Sequence, residues 1–408
     1  MERAALRIMN AGAPNKKTGR VAFAPWPSYT EAEIEAVTRV LRSGRVNYWT
    51  GDEGRSFEAE YARSVDRRFG IALANGSVAL ELALHAFGIG PGDEVVTTSR
   101  TFIASASAAV MRGATPIIAD VDRDSQNVTV DNLERCLTPR TRALVVVHLA
   151  GWPCDMPKIM RFANAHDLTV IEDCAQANGA SIDGRPVGSF GDAAAWSFCQ
   201  DKIITTGGEG GMLTLEDESA WQRAWSHKDH GKSYEAVYHR EHPPGFRWLH
   251  ESFGTNWRMT EPQAAIGRLQ LATLAETIKA RQRNAEILLD GLDGLPGLRL
   301  TRPPADVHHA YYKFYAFIVP SALRTGWDRD RVMATILDEG VPCFSGSCSE
   351  IYRELAFQNA GLGPAHRHPV AVELGQTSLM FLVHPTLSEE ALTYTVDTVR
   401  RVVTAASR

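Results

Sequence analysis

Cysteine is scarce and unpatterned in this chain. Cys136, Cys154, Cys174, Cys199, Cys343 and Cys348 are spread over 408 residues. None stands in a CxxC pair, which argues against a disulfide scaffold and a structural zinc site. Only Cys343 and Cys348 are close enough in sequence to suggest a bridge, and reduced thiols in a cytoplasmic protein are the expectation. No apolar run approaches the ~18–20 residues of a membrane span, and the first twenty residues carry charge without an apolar leader segment. No membrane partner is expected. A dense basic cluster is also missing: 43 Lys/Arg stand against 48 Asp/Glu, for a formal charge of −5. Nucleic-acid binding leans on phosphate neutralisation and is therefore not expected. With 44% apolar and 22% charged residues, the composition excludes wholesale disorder and a coiled coil.

Two glycine-rich stretches fail as nucleotide loops. Gly88-Ile89-Gly90-Pro91-Gly92 follows a helix-like stretch and precedes a strand-like one, the reverse of a dinucleotide fingerprint. Gly207-Gly208-Glu209-Gly210-Gly211 lacks the Lys-Ser/Thr ending of a phosphate loop.

The length suits about two or three domains of ~100–200 residues each. Residues 1–28 read as an N-terminal arm. Thr30 then looks like an N-cap, with Glu31 and Glu33 in the first turn and Ile34, Val37, Val40 and Leu41 forming an apolar stripe. Between about residues 70 and 220, short apolar runs alternate with helical patterns. The pattern predicts strands at Glu94–Thr97, Pro116–Ala119, Ala143–His148, Thr169–Glu172, Ala194–Phe198 and Met212–Leu215. Helices are predicted at Ser77–Phe87, Ile103–Arg112 and Met156–Ala165. Such alternation indicates an α/β fold with a mainly parallel sheet covered on both faces, whose ligands sit at the carboxyl ends of the strands. A long helical connector is expected over Glu261–Leu292. Beyond Pro296, the strand-like Tyr311–Val319 and the helical Arg329–Glu339 and Glu389–Val403 suggest a smaller α+β domain. The expected division is a large α/β domain over 29–275 and a small C-terminal domain over 276–408.

Four segments at predicted strand ends or helix starts carry polar residues worth reading as chemistry. Asn75-Gly76-Ser77 opens a helix, where free backbone N–H groups and the dipole suit a phosphate, although a serine cap is common in any helix. Glu172-Asp173-Cys174-Ala175-Gln176 places acids directly after a buried strand; an acid there serves as a cap, an ion-pair partner, or a carboxylate that keeps a pyridinium nitrogen protonated. In Ser197-Phe198-Cys199-Gln200-Asp201-Lys202, a lysine follows a strand end and precedes the glycine turn. Near a carbonyl cofactor such a lysine forms a Schiff base and shuttles a proton. In Asn256-Trp257-Arg258-Met259-Thr260-Glu261-Pro262, the last three residues make a good helix start, which leaves Asn256, Trp257 and Arg258 unexplained.

Together these segments resemble the DegT/DnrJ/EryC1/StrS family of pyridoxal-phosphate-dependent aminotransferases of keto sugars and cyclitols. The likeness spans most of the chain, through Val46-Asn47-Tyr48-Trp49-Thr50-Gly51, NGSVAL, TFIASASAAV, VHLAGWPCDM, EDCAQANGA, SFCQDKIITTGGEGGM and NWRMTEPQAAIG, and the 29 residues from Asp173 to Lys202 fit it. It implies the aspartate-aminotransferase-like fold type I and pyridoxal 5'-phosphate as cofactor. By the resemblance, Lys202 is the Schiff-base lysine and Asp173 the partner of the pyridine nitrogen. Gln176 neighbours the ring hydroxyl and Phe102 stacks on the ring. Gly76, Ser77 and Ser197 cradle the phosphate, and Asn256 reaches the neighbouring chain's phosphate in a homodimer with shared active sites. Tyr48, Trp49 and Arg258 are candidate substrate contacts, and His227, His230, His308 and His309 are weaker ones; no metal ligand is assigned. The family often has one glycine before the glutamate of the turn, where this chain has Gly207-Gly208 ahead of Glu209. Cys199, Gln200 and Asp201 vary in the family and receive no role.

The reaction so implied is ping-pong transfer of an amino group from L-glutamate or L-glutamine to a nucleotide-activated keto-deoxysugar, giving an amino sugar for an antibiotic or a cell-surface glycan. A cyclitol aminotransferase acting on a scyllo-inosose-type ketone would carry the same motifs. Sugar deoxygenation on this scaffold, for which relatives replace the lysine by histidine, is disfavoured by Lys202. A non-catalytic binding or regulatory protein is disfavoured by the pairing of Lys202 with Asp173.

Overall fold

The computed structural model describes residues 21–242, 244 and 248–408. Its centre is a 7-stranded sheet. The strands are β1 (Phe69–Leu73), β2 (Glu94–Thr98), β3 (Thr115–Ala119), β4 (Thr141–Val147), β5 (Thr169–Asp173), β6 (Ala193–Ser197) and β7 (Gly211–Leu215). They lie in the order β1-β7-β6-β5-β4-β2-β3, and only β7 runs against the rest. Every residue of β2, β6 and β7 is buried, as strands covered on both faces require.

All six expected strands of this sheet are present, and β1 adds a seventh at the edge. β1 escapes the pattern search because Gly70 interrupts its apolar run. That glycine is a packing necessity: a Cβ there would lie 2.5 Å from the Glu58 carbonyl oxygen. The Met156–Ala165 helix matches its expected limits, with Asp155 accepting from the Lys158 N–H and proline in the first turn. Thr30 caps Glu31–Ser43 through a reciprocal box with Glu33. The connector is not continuous. It breaks at Thr273 into Glu261–Ala272 and Leu274–Leu292, because Thr273 (φ −106°, ψ 10°) leaves helical geometry.

A second sheet of β8 (Leu298–Leu300), β9 (Phe314–Ile318), β10 (Cys343–Phe344) and β11 (Ser378–Phe381) is antiparallel throughout, in the order β8-β9-β11-β10. The expected strand from Tyr311 starts only at Phe314, and the three residues before it turn toward the large sheet: the Tyr312 N–H donates to the Ala150 carbonyl at 2.9 Å. The core over this sheet joins Leu288, Leu292, Phe314, Ile336, Phe381 and Val399 from its strands and from the Leu274–Leu292, Arg329–Asp338 and Glu389–Ala406 helices.

Of the expected arm, residues 1–20 lie outside the described residues. The part from residue 21 is held down: Phe23 packs on the small-sheet core, the Pro25 carbonyl accepts from Thr386 Oγ1 at 2.9 Å, and Trp26 Nε1 donates to the Lys202 carbonyl at 2.9 Å. All six cysteines are free, so Cys343 and Cys348 form no bridge. Among the described residues, no helix is long and apolar enough to cross a membrane.

Candidate active site

The polar residues singled out in sequence gather beyond the carboxyl ends of β1, β2, β5 and β6. Asp173 ends β5 between β4 and β6, where it is 5% exposed. Its Oδ2 accepts from Ser105 Oγ at 2.7 Å and its Oδ1 from the Ala175 N–H at 3.1 Å. Burial pushes its carboxyl above the ordinary 3.8, against the opposing pull of these two donors and of the Lys202 charge. A carboxylate in that condition gains most from a cationic N–H partner. Ser105 sits in the first turn of the Ala104–Met111 helix, and Phe102 stands just before that helix with its ring 68% exposed. One helix start therefore sets both the donor to Asp173 and a free aromatic face; Phe102 is no core residue.

Asp173's neighbour Glu172 points to the other face of the sheet. Its carboxylate accepts from His148 Nε2 at 3.1 Å and from the N–H groups of Gly188 (2.8 Å), Phe190 (2.8 Å) and Gly191 (2.7 Å). Although burial alone would raise it, the His148 and backbone donors hold it below the ordinary 4.5. His148, Glu172 and Cys174 lie within 4.8 Å of one another in metal-ligand fashion. Both ring nitrogens of His148 are already engaged, however, because Nδ1 accepts from the Cys154 N–H at 3.0 Å. The group is a hydrogen-bonded strut that fixes the end of β5.

The second part is a cradle. The Gly76–Ala86 helix is capped by Asn75, whose side chain accepts from the Val78 N–H at 3.1 Å. The cap is thus two residues ahead of the expected Ser77, and the Gly76 and Ser77 amides sit in the first turn, which has no acceptors within its own helix. Gly76 lies so close to β6 that a Cβ would be 2.7 Å from Ser197 Cβ. Ser197 ends β6 with its hydroxyl beside Gly76, and Ser77 is exposed. Gln176, 9% exposed, uses its Oε1 to accept from the Ala150 N–H at 2.8 Å.

Lys202 is half-buried in the turn after β6. Its Nζ donates to the Tyr312 hydroxyl at 3.4 Å. The turn then uses Gly207 (φ 83°) and Gly208 (φ 118°), and Thr206 Oγ1 donates to the Glu209 carbonyl at 2.7 Å. The extra glycine is accommodated in a left-handed backbone that other residues rarely adopt.

Asn256 is exposed and bridges backbone-to-backbone with Asp229, while Arg258 pairs with Leu73 at the end of β1. The candidate substrate contacts differ in access. Tyr48 is corrected by the structure: it is 3% exposed, its hydroxyl donates to Glu58 at 3.1 Å, and the Lys228 ammonium lies 3.7 Å from its ring centroid. Its ring is packed inside and has no face for a sugar. Trp49 is half-buried, with the Lys232 ammonium 4.1 Å from its ring centroid, and Arg258 is tied to Asp229. His309 is buried and stacked on Tyr311 at 3.9 Å; burial lowers its imidazole to about 3, so it stays neutral. His227 packs at 4.0 Å against His85, and exposed His308 meets Gln282. His230 is exposed, at φ 61°.

A buried acid beside an amine, an exposed aromatic face and a small-residue cradle at a helix start fit pyridoxal phosphate. Residues 27–400 match the DegT/DnrJ/EryC1/StrS aminotransferase family. The chain belongs to this family. It is 37% identical over 356 residues to the UDP-N-acetyl-3-dehydro-alpha-D-glucosamine 3-aminotransferase of Acidithiobacillus ferrooxidans, covering 86% of this chain and 89% of that one. Among solved structures, an aminotransferase from Psychrobacter cryohalolentis is 54% identical with a TM-score of 0.92, covering 94% of this chain and 99% of that one. DesV of S. venezuelae, solved in complex with a ketimine intermediate, is 33% identical with a TM-score of 0.82, covering 91% and 94%. The chain is a pyridoxal-phosphate-dependent sugar aminotransferase of the α/β fold shared by these relatives.

Sequence reasoning missed Ser105, Tyr312 and Lys313 as members of the site. Ser105 had a signal: a buried acid after a strand needs a donor, and TFIASASAAV offers hydroxyls at a helix start. Tyr312 and Lys313 had none, because they read as the beginning of a strand.

Proposed function

We propose that this enzyme moves the amino group of L-glutamate or L-glutamine to a nucleotide-activated keto-deoxysugar in the cytoplasm, building an amino sugar for an antibiotic or a surface glycan. The observation that carries the reading is the meeting of Asp173, Lys202 and the Gly76 cradle beyond the carboxyl ends of the central strands. The Acidithiobacillus relative, named for a 3-dehydro sugar nucleotide, supports the substrate class. In this reading residues 29–275 hold the cofactor and 276–408 form the smaller domain.

Pyridoxal phosphate, when bound, supplies an aldehyde that condenses with amines and a ring that takes up the electron pair of a deprotonated carbon. The residues of this chain would act around it as follows. Lys202 anchors the cofactor and, once released, takes a proton from the donor's α-carbon and returns one to the acceptor. Asp173 keeps the ring nitrogen protonated, with Ser105 holding its carboxylate in place. Gln176 faces the ring hydroxyl, and Phe102 covers the ring. The Gly76 and Ser77 amides and the Ser77 and Ser197 hydroxyls hold the phosphate at the positive end of the helix dipole. Asn256, exposed and paired with Asp229, would reach the phosphate in a second chain, making the homodimer the functional unit. Trp49 and Arg258 remain the substrate contacts of this reading, and Tyr48 drops out.

The test is a panel of 3-keto and 4-keto sugar nucleotides together with scyllo-inosose, each offered with L-glutamate and L-glutamine, with products read by mass. Amination of a sugar nucleotide supports the reading; amination of scyllo-inosose alone would refute it.

A further inference from the structure

Asp201, Tyr312 and Lys313 form a cluster around the Lys202 amine that the motifs do not account for. Lys202 Nζ donates to the Tyr312 hydroxyl at 3.4 Å, and that hydroxyl donates in turn to Asp201 Oδ2. Lys313 Nζ stands 3.5 Å from the same carboxylate oxygen. The two ammonium groups flank one ring, each 4.6 Å from the Tyr312 centroid. Both ends are pinned by backbone. The Lys202 carbonyl takes the Trp26 indole N–H at 2.9 Å, and the Tyr312 carbonyl takes Arg281 Nη1 at 3.2 Å.

The directions of these bonds are forced. Burial, followed by the Asp201 charge, keeps the Tyr312 phenol protonated. Despite the opposing effect of burial, the Lys202 and Lys313 charges hold the Asp201 carboxyl below its ordinary 3.8, so it only accepts. The phenol proton therefore points to Asp201, and the phenol oxygen presents its lone pairs to Lys202. A charged acceptor at the far end polarises the phenol and makes that oxygen a stronger acceptor.

We propose that Tyr312 and Asp201 are positioning residues that hold the Lys202 amine once it has taken the donor's proton and until it gives that proton up, with Lys313 limiting how strongly Asp201 does so. The proposal rests on the reading of Lys202 as the anchoring amine and gives the Asp201–Tyr312 pair a function in that reaction. Parking matters because the displaced amine has to stay near the reacting carbon and carry a proton until it is needed.

The test uses the full chain freed of cofactor, probed with formaldehyde and cyanoborohydride at fixed pH, with methylation of the Lys202 peptide timed by mass spectrometry. Only the neutral amine reacts. Y312F and D201N should methylate roughly three- to tenfold faster than wild type, as loss of a partly exposed charge-assisted hydrogen bond implies. K313Q should react about two- to fivefold slower, since it removes a repelling charge and frees Asp201 for Tyr312. General loosening of the site would speed all three, so opposite signs exclude it, and the mark of the relay is a D201N effect that shrinks when the phenol is gone. In the Y312F background the D201N effect should be markedly smaller than in wild type, because the phenol carries part of the Asp201 effect and the direct attraction between Asp201 and Lys202 the remainder. Unchanged rates in folded Y312F and D201N, a common direction for D201N and K313Q, or a full D201N effect in the Y312F background would overturn the proposal. Failure of pyridoxal phosphate and borohydride to label Lys202 in wild type would instead overturn the anchoring role itself.

Discussion

The proposed phosphate cradle makes a sharp demand on Gly76. Its backbone φ is not positive, so alanine suits it, and inside a helix alanine would be favoured by about 1 kcal/mol. Space is the obstacle. The added Cβ would lie 2.7 Å from Ser197 Cβ and 3.2 Å from both Ser197 Cα and Oγ. That is roughly 1 Å inside the ~3.5–4.0 Å optimum for carbon pairs. Ser197 cannot retreat, because its strand is hydrogen-bonded between β5 and β7 and buried throughout. The helix start must yield instead, drawing the Gly76 and Ser77 amides away from Ser197. Overpacking of this kind costs about 1–3 kcal/mol, partly offset by the helix preference. The cost falls on phosphate binding: Gly76→Ala should weaken pyridoxal phosphate by roughly 5- to 30-fold, equivalent to ~1–2 kcal/mol. Pyridoxal, which has no phosphate, should bind the variant as it binds wild type. The assay is absorbance titration with both aldehydes, backed by borohydride fixation on Lys202. An equal loss for both aldehydes, or none for either, would refute the cradle.

Other expectations follow from the charges at the sheet edge. Asp173→Asn should stabilise the cofactor-free protein at neutral pH: the wild-type carboxyl is raised above 3.8, so its ionisation erodes stability as pH climbs through that value and beyond. Thermal melts from pH 4 to 8 test this, with cofactor affinity expected to fall in the same variant; a melting point below wild type at pH 7 contradicts it. Glu172→Gln should destabilise by about 3 kcal/mol, as breaking a buried charged network does. Because the Glu172 carboxyl is held below 4.5, that loss should be complete above this pH and shrink as the pH falls through the lower folded value; urea titrations at pH 7 and 3.5 compare the two. Mixed dimers of Lys202→Ala and Asn256→Ala chains should recover part of the activity that each variant lacks alone. Verified heterodimers without recovery would exclude a shared site.

The fold was largely legible because its signals are local. Capping residues and apolar periodicity place the Glu31–Ser43 and Met156–Ala165 helices and the buried strands from Glu94 to Leu215. What failed was decided at a distance. Gly70 marks β1 as close-packed against Glu58, yet in sequence it only weakens a strand. Thr273 interrupts a helix whose composition gives no break. Tyr48 stands in a motif-like run of aromatics that suggests a sugar platform, but Glu58 and Lys228 take its hydroxyl and ring into the interior.

The same distinction separates two kinds of residue around Lys202. Asp173 and the Gly76–Ser197 contact lie on the sheet framework, so strand order alone brings them together with Lys202, and short motifs suffice to find them. Trp26, Tyr312 and Lys313 reach the lysine from segments 176, 110 and 111 residues away, positioned by the N-terminal segment and by the lead into β9. The segment ahead of β9 belongs to the chain that builds the second sheet, and its Ala310 and Tyr312 N–H groups donate to the Gly151 and Ala150 carbonyls beside the large sheet. Ala310 and Tyr312 also share a buried core with Cys174, Ala177 and Phe198, so the phenol is held to the same framework as Asp173. Motifs read along the chain do not show that convergence, because packing makes it between segments 110 residues apart.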